Sequence, residues 1–325
     1  MMMSSGIPTP NMSAPSQCGN KLDSITLRRR GRLAGFGVAA AAAFILWAPA
    51  SEFRNVSAVE AAQFTSSVNL VEVYASVVDA AGQPVRGLRQ EDFEVIEDGE
   101  RQAISAFTAG DFPLTVAVAL DHSFSMAGPP LVAMKRATRS FLGALRPGDE
   151  AIVLGISSQV DVVATPRQAR AEQMTAVDAL TAWGTTTLHD AILAALESVD
   201  GSRGRRALVI LSDGDDRYSE SSAAEATARA RRSNVIVYPV ALGKVRPPLF
   251  AELATLTGGR SYHARELQGL DQTMTTIAEQ LREQYLIGYS PVRSPVSGAN
   301  EWRSIEVRVK KPGVSVRARD GYYVR

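Results

Sequence analysis

Cysteine is nearly absent from this chain: Cys18 is the one thiol in 325 residues. A disulfide framework is therefore excluded, and so is a thiolate metal cluster. Cys18 lies before an apolar segment, and Pro15-Ser-Gln-Cys18 has no apolar run ahead of it, so it does not form a lipobox. Histidine is scarce too: His122, His189 and His263 are the three present. Two histidines without cysteine make a poor structural zinc site. An imbalance of charge is also missing, since the formal net charge is +1. No basic and aromatic stripe runs along the sequence, so no nucleic-acid partner is expected. The short basic clusters, Arg167 with Arg170 and Arg203 with Arg205 and Arg206, read as solvated faces. There is no internal repeat and no long low-complexity tract.

What is present is the composition of an ordinary globular protein, 45% hydrophobic and 21% charged. The length suits one large domain and a small one. Residues 1–50 read as an export signal. Leu27-Arg-Arg-Arg-Gly-Arg32 is a positive cluster, Leu33–Trp47 an apolar stretch too short for a comfortable membrane span, and Ala48-Pro-Ala50 a cleavage site of small residues. The paired arginines and the weakly hydrophobic core point toward a twin-arginine signal, with a Sec signal as the other route. The expectation is an exported protein, periplasmic or extracellular, with Cys18 removed and no membrane span in the mature chain. An uncleaved signal would instead anchor it to the membrane.

Residues 51–65 lack periodicity and are expected to be a linker. Then Val71, Val73, Ala75 and Val77 alternate with Glu72, Tyr74 and Ser76, a strand pattern. A turn follows at Ala80-Ala-Gly-Gln-Pro84. Phe93, Val95 and Glu97 lead into Asp98-Gly99, a hairpin signal, from which Ala103–Phe107 is expected to return. From Leu114 the pattern changes. Apolar strands over Leu114–Leu120, Ala151–Ile156, Ala207–Leu211 and Val235–Val240 alternate with helical patterns. The helices are expected over Pro130–Leu145, Thr186–Val199, Ser222–Arg232, Leu249–Leu256 and Leu270–Gln284. Strands apolar on both faces and separated by helices predict an α/β fold with a doubly wound, mainly parallel sheet. Period two returns in Tyr285–Tyr289, in Ile305, Val307 and Val309, and past Lys311-Pro-Gly313 in Val314, Val316 and Ala318. Neither flank has enough strands to fold alone. Residues 66–111 and 285–325 are therefore expected to join in one small antiparallel β-sandwich-like domain, with the α/β domain, residues 112–284, inserted between them.

The strand ending at Leu120 runs straight into Asp121-His-Ser-Phe-Ser125. In open parallel sheets, ligands bind beyond the carboxyl ends of the strands. Residues two apart in an extended loop point the same way, so Asp121, Ser123 and Ser125 can turn three oxygen groups toward one point. One carboxylate and two hydroxyls suit Mg²⁺ or Mn²⁺ better than Zn²⁺. Ala207–Leu211 runs into Ser212-Asp213-Gly214, a second carboxylate at the same edge. Gly184-Thr-Thr-Thr187 places hydroxyls before a helix, where they either cap it or join the metal set. Asp215 and Asp216 read as a polar turn, with field tuning or a second cation as the alternative. Asp190 reads as a complement to the helix dipole.

Asp-x-Ser-x-Ser after a buried strand, Gly-x-Thr before a helix and Leu-Ser-Asp-Gly after another strand stand here in that order. Together they resemble the von Willebrand factor A domain and its metal-ion-dependent adhesion site, over about residues 112–285. The flanks, Glu91-Asp-Phe-Glu-Val-Ile-Glu-Asp-Gly99 and Val316-Arg-Ala-Arg-Asp-Gly-Tyr-Tyr323, are similar to a bacterial exported branch of that family. The resemblance implies a Rossmann-like fold and a role for each matching position. Ser123 and Ser125 would bind the metal directly. Thr186 would bind it in some states, with Thr185 as the register alternative, and Leu188-His-Asp-Ala-Ile192 favours Thr186. Asp121 and Asp213 would act mostly through waters. One open position would take the carboxylate of an Asp or Glu from a partner protein or a neighbouring copy. With few direct carboxylates the ion keeps positive character to offer that group. The family often has Gly between the two serines, where this chain has Phe124. A ring there would narrow the site, touch the partner or pack onto neighbouring loops.

The expected function is divalent-metal-dependent protein binding, in adhesion or assembly, without catalysis. The alternative is a structural envelope or assembly module whose acids and hydroxyls cap loops and bind no metal. A hydrolase comes third. No Gly-x-Ser-x-Gly elbow surrounds Ser123 or Ser125, and His122 would face away from Ser123. A phosphatase nucleophile at Asp121 would need a second aspartate where Ser123 stands. A zinc site would have to bring His122 and His189 together at the sheet edge.

Overall fold

The strand apolar on both faces is covered on both faces: β5 (Leu114–Asp121) is buried along its whole length. The computed structural model describes residues 70–110, 112–293 and 301–324, and the expected signal and linker lie outside them. β6 (Glu150–Ile156) and β8 (Arg205–Ser212) flank β5, both parallel to it. β9 (Val235–Leu242) and β10 (Tyr262–Ala264) extend the parallel side, and β7 (Val160–Ala164) closes the other edge antiparallel. The order is β10-β9-β8-β5-β6-β7.

Helices lie on both sides. α1 (Pro129–Ala144), α2 (Arg170–Ala179) and α6 (Leu270–Arg282) pack against Val116, Val118 and Leu120 of β5 and their neighbours. α3 (Leu188–Ser198), α4 (Ala223–Arg232) and α5 (Pro248–Thr257) pack against Ala117 and Ala119 on the other face. Phe141 in α1 and Phe250 in α5 are fully buried on opposite faces. Burying each ring stabilises the fold by about 1.5–3 kcal/mol. After β5 the chain crosses to α1, and after β8 it crosses to α4 on the opposite face. The carboxyl ends of these adjacent strands therefore flank a topological switch point, where open α/β sheets bind ligands. Among the described residues no helix is long and apolar enough to cross a membrane.

The period-two segments form two antiparallel sheets. β1 (Val71–Asp79), β4 (Ile104–Ala109), β11 (Gln284–Tyr289) and β13 (Val314–Arg317) are ordered β13-β1-β11-β4. β2 (Phe93–Glu97), β3 (Glu100–Gln102), β12 (Trp302–Val309) and β14 (Gly321–Tyr323) are ordered β14-β12-β2-β3. β1 pairs with β11 and β13, β11 with β4, and β2 with β12, so strands before the parallel sheet pair with strands after it. The sheets share a core of Val73, Ala75, Val77, Val95, Ile287, Ile305 and Val307. The Phe93 ring lies 5.0 Å from that of Tyr285 and 5.4 Å from that of Phe107. The fold is thus a doubly wound α/β unit inserted in the chain of a small antiparallel sandwich.

Several boundaries differ from the sequence expectation. Asp98 (φ 48°) and Gly99 (φ 85°) make the turn, but the returning strand is Glu100–Gln102. Residues from Ile104 cross instead to the other sheet and pair with β11, which brings the Phe107 ring against those of both Phe93 and Tyr285. α3 starts at Leu188, after Thr187, whose hydroxyl donates to the Ser157 carbonyl at 3.1 Å and caps nothing. α6 stops at Arg282, because Gln284 already begins β11. α2, β7 and β10 have no counterpart in the sequence reading. α2 buries only Gln173 and Val177, so it carries no apolar stripe to be read.

Candidate metal centre

Asp121 closes β5 and is fully buried. The Ser123 N–H donates to its Oδ1 at 3.0 Å. The Ser212 hydroxyl, from the end of β8, donates to its Oδ2 at 2.6 Å, across the switch point. Burial pushes the Asp121 carboxyl above its usual range. Hydrogen bonds from Ser123 and Ser212 oppose that shift, and the nearby charge of Asp213 adds to it. The Oγ atoms of Ser123 and Ser125 lie 3.0 Å apart. The loop is not extended as expected: Phe124–Met126 form one 3₁₀ turn, with the Met126 side chain buried beneath it. The two hydroxyls meet all the same.

The threonine loop comes from the adjacent connection. Gly184 has φ +71°, and a Cβ there would stand 2.5 Å from Ser158 Oγ. The tight turn lets Thr185 N–H reach Ser158 Oγ at 3.0 Å and Thr187 N–H reach the Ser157 carbonyl at 3.0 Å. Thr186 is 2% exposed. Its carbonyl accepts the N–H groups of Arg217 and Tyr218, each at 3.0 Å. Its hydroxyl has no hydrogen-bond partner among the described residues. Two further bonds lash this loop to the serine loop: Phe124 N–H to Gly184 O at 3.0 Å, and Trp183 N–H to His122 O at 2.8 Å.

Asp213 is half-buried and accepts the Asp215 N–H at 3.1 Å. The next residue, Gly214, has φ +82°, and a side chain there would run into the Pro247 ring. The acids beyond it are structural. Asp215 pairs with Arg217. Asp216 accepts the His189 N–H at 3.2 Å and the Ser219 hydroxyl at 2.6 Å. Asp190 accepts the N–H groups of Glu220 and Ser221, at 2.9 and 3.0 Å. Partial burial works against the charge of Asp190. Its hydrogen bonds to Ser221 and Glu220, with His189 nearby, outweigh that and hold the carboxyl below its ordinary value. So Asp190 does more than complement a dipole: it staples the 215–222 loop onto α3.

Sequence reasoning missed the groups that hold the site in shape. Ser157 and Ser158 fix the threonine loop, and Ser212 fixes Asp121. The available signal was a hydroxyl where β6 and β8 end. The histidines stay apart from the hydroxyls. His122 packs its ring against Gly155 and places Nδ1 2.8 Å from the Thr181 carbonyl. His189 Nδ1 lies 3.1 Å from the Ser221 carbonyl, and His263 Nε2 lies 2.9 Å from the Gly243 carbonyl. Among the described residues, no three His, Cys, Asp or Glu side chains converge on one point. What gathers at the β5 and β8 ends is an oxygen set of hydroxyls around carboxylates. Such a set fits a hard divalent cation and offers a soft one nothing.

Residues 115–277 match the family model of the von Willebrand factor type A domain. No curated protein matches the chain. Among solved structures, a von Willebrand factor type A protein from Catenulispora acidiphila superposes with a TM-score of 0.50 at 16% identity, over 69% of this chain and 71% of that one. Proximal thread matrix protein 1 from the mussel byssus, in a form with a zinc-occupied MIDAS motif, gives 0.47 at 15% identity, over 57% of this chain and 49% of that one. The conserved hypothetical protein BatB from Bacteroides thetaiotaomicron gives 0.43 at 17% identity, over 52% of this chain and 98% of that one. At 16% identity the first of these likenesses is one of fold.

Proposed function

The chain belongs to the von Willebrand factor type A domain family, and on that premise we propose that it is a divalent-metal-dependent protein-binding module. The family is one of metal-dependent adhesion and protein-binding modules. In this reading Ser123, Ser125 and Thr186 offer hydroxyls, and Asp121 and Asp213 offer carboxylates, to Mg²⁺ or Mn²⁺. The ion supplies a positive centre that recruits an Asp or Glu carboxylate of a partner protein. The observation that supports the reading is the meeting of the Ser123 and Ser125 hydroxyls beside a buried Asp121 at the switch point. Ser123 and Ser125 touch, Asp121 is held by Ser123 N–H and by Ser212 of β8, and the hydroxyl of Thr186 has no hydrogen-bond partner among the described residues.

Thr186 is preferred over Thr185, which is more exposed and whose N–H is tied to Ser158. The role is binding rather than catalysis. His122, the imidazole beside Ser123 in sequence, is committed to the Thr181 carbonyl. The proposed setting is an exported, periplasmic or extracellular protein. Its binding unit spans residues 112–284, carried by a sandwich built from 66–111 and 285–325.

The direct test is a titration of the full chain with Mn²⁺, followed by electron paramagnetic resonance and competed with Mg²⁺. The expected result is one saturable site that Mg²⁺ displaces and that Asp121→Asn removes. Absence of Mn²⁺ binding to the wild-type chain would overturn the proposal.

A further inference from the structure

Eight large hydrophobic side chains are exposed among the described residues, and three of them are aromatic: Phe124 (67%), Trp183 (49%) and Tyr218 (67%). All three stand on the loops that carry the candidate metal centre. Phe124 lies between Ser123 and Ser125. Trp183 precedes the Gly184 turn and bonds through its N–H to the His122 carbonyl. Tyr218 bonds through its N–H to the Thr186 carbonyl. The backbones of the three segments are therefore tied together around the gathered hydroxyls. Scattered single apolar residues on a surface need no explanation. Here every exposed aromatic ring of the described residues falls at one edge of one sheet, on three separate loops. Phe124 was open to a packing role on neighbouring loops, and its exposure speaks against that.

We propose that these rings form the rim of a docking surface for a partner protein that presents an Asp or Glu flanked on both sides by bulky apolar residues. The inference rests on the metal-dependent binding proposed above and specifies what surrounds the carboxylate. The charge pattern supports it. The centre takes an anion through the ion. The rings at the rim bring no charge, and Arg217, the cation among them, is already paired with Asp215. An anionic residue embedded in apolar neighbours is complementary to that arrangement, whereas an acid in a highly charged stretch would leave the rings in water. Aromatic side chains are the usual anchors of protein interfaces because they bury large rigid areas at little entropic cost. Ring edges carry partial positive charge and do not repel a carboxylate. An extended segment or loop of the partner would lay its acid at the metal and its flanking side chains on the rings.

The test uses the full chain and a displayed-peptide library with a fixed central aspartate and randomised residues on both sides. Selection is done in millimolar Mg²⁺ and in EDTA. The same is done with a rim variant, Phe124→Ser with Trp183→Ser and Tyr218→Ser, all exposed positions that the core does not need. Mn²⁺ binding is measured on both proteins. The expected result is Mg²⁺-dependent selection of peptides with apolar residues beside the aspartate. The rim variant should bind them roughly tenfold more weakly or worse, the loss of at least one interface anchor, while its Mn²⁺ affinity stays unchanged. Selection without apolar enrichment, equal binding by the variant, or no Mg²⁺-dependent peptide at all would overturn the inference and leave the metal site standing. Failure of the wild-type chain to bind Mn²⁺ would overturn both. Mg²⁺-dependent self-association that the rim variant loses would assign the surface to a second copy, and would overturn the assignment to a partner protein.

Discussion

At the scale of single residues, Ser212 is the support on which the proposed centre most depends. Its hydroxyl holds one oxygen of Asp121 at 2.6 Å and itself accepts the Gly214 N–H at 2.9 Å. Outer-shell partners of this kind orient a ligand, and losing one weakens metal binding by about 10–100-fold. Ser212→Ala is therefore expected to lower Mn²⁺ affinity within that range while the circular dichroism spectrum stays native. Unchanged affinity would show that Asp121 needs no such orientation. Asp121, Ser123 and Ser125 were legible in the sequence because an apolar strand that ends in alternating oxygens has few other uses. The bond from Ser212 was not. Nothing in the local pattern says that β8 lies beside β5, and a serine before Asp213 looks like any loop residue.

At the scale of elements, the turn at Gly184 decides where the threonines sit. The backbone there is left-handed, and Ser158 fills the space a side chain would need. Gly184→Ala combines a strained φ, about 1–3 kcal/mol, with a collision against a fixed hydroxyl. Urea unfolding should show a loss of at least that size, and Mn²⁺ affinity should fall with it as Thr186 is displaced. A variant of native stability would mean that the loop relaxes freely. The longer helices were readable from their apolar stripes, and β5 and β8 from their unbroken burial. α2 was not, since Gln173 and Val177 are all it buries. The hairpin at Asp98-Gly99 was readable, but the switch of sheet after Gln102 was not. It depends on Phe107 packing with Phe93 and Tyr285, a contact between residues far apart in sequence.

At the scale of the whole molecule, one buried network joins the sandwich across its discontinuous halves. Glu97 of β2 receives the Arg303 guanidinium of β12 at 3.1 Å, the Tyr289 hydroxyl of β11 at 2.6 Å and the Tyr322 hydroxyl of β14 at 2.9 Å. Burial pushes both phenols up, and the Glu97 carboxylate pushes them further, Tyr322 to about 12 and Tyr289 higher still. A folded-state pKa raised above the unfolded value of 10.0 means stability that is full below pH 10.0 and lost as pH rises toward about 12. Stability measured by urea between neutral pH and pH 12 should therefore fall steeply over that window. Tyr289→Phe should flatten the fall, and an equal slope in the variant would exclude the network as its source. The pairing of the two flanks was readable because period two returned after the last helix and neither half had enough strands alone. The ion pair at its centre was not, because Glu97 and Arg303 sit on strands that look half-solvated in sequence.

The central claim is that a divalent ion binds at Asp121, and a thermal melt of the full chain tests it most directly. A ligand that binds only the native state adds about 2.7 kcal/mol at a hundredfold excess over its Kd. The account predicts a higher midpoint in excess Mg²⁺ than in EDTA, and no difference between the two conditions for Asp121→Ala. Equal midpoints for the wild-type chain at millimolar Mg²⁺ and Mn²⁺, or the same shift in the Asp121→Ala variant, would contradict it.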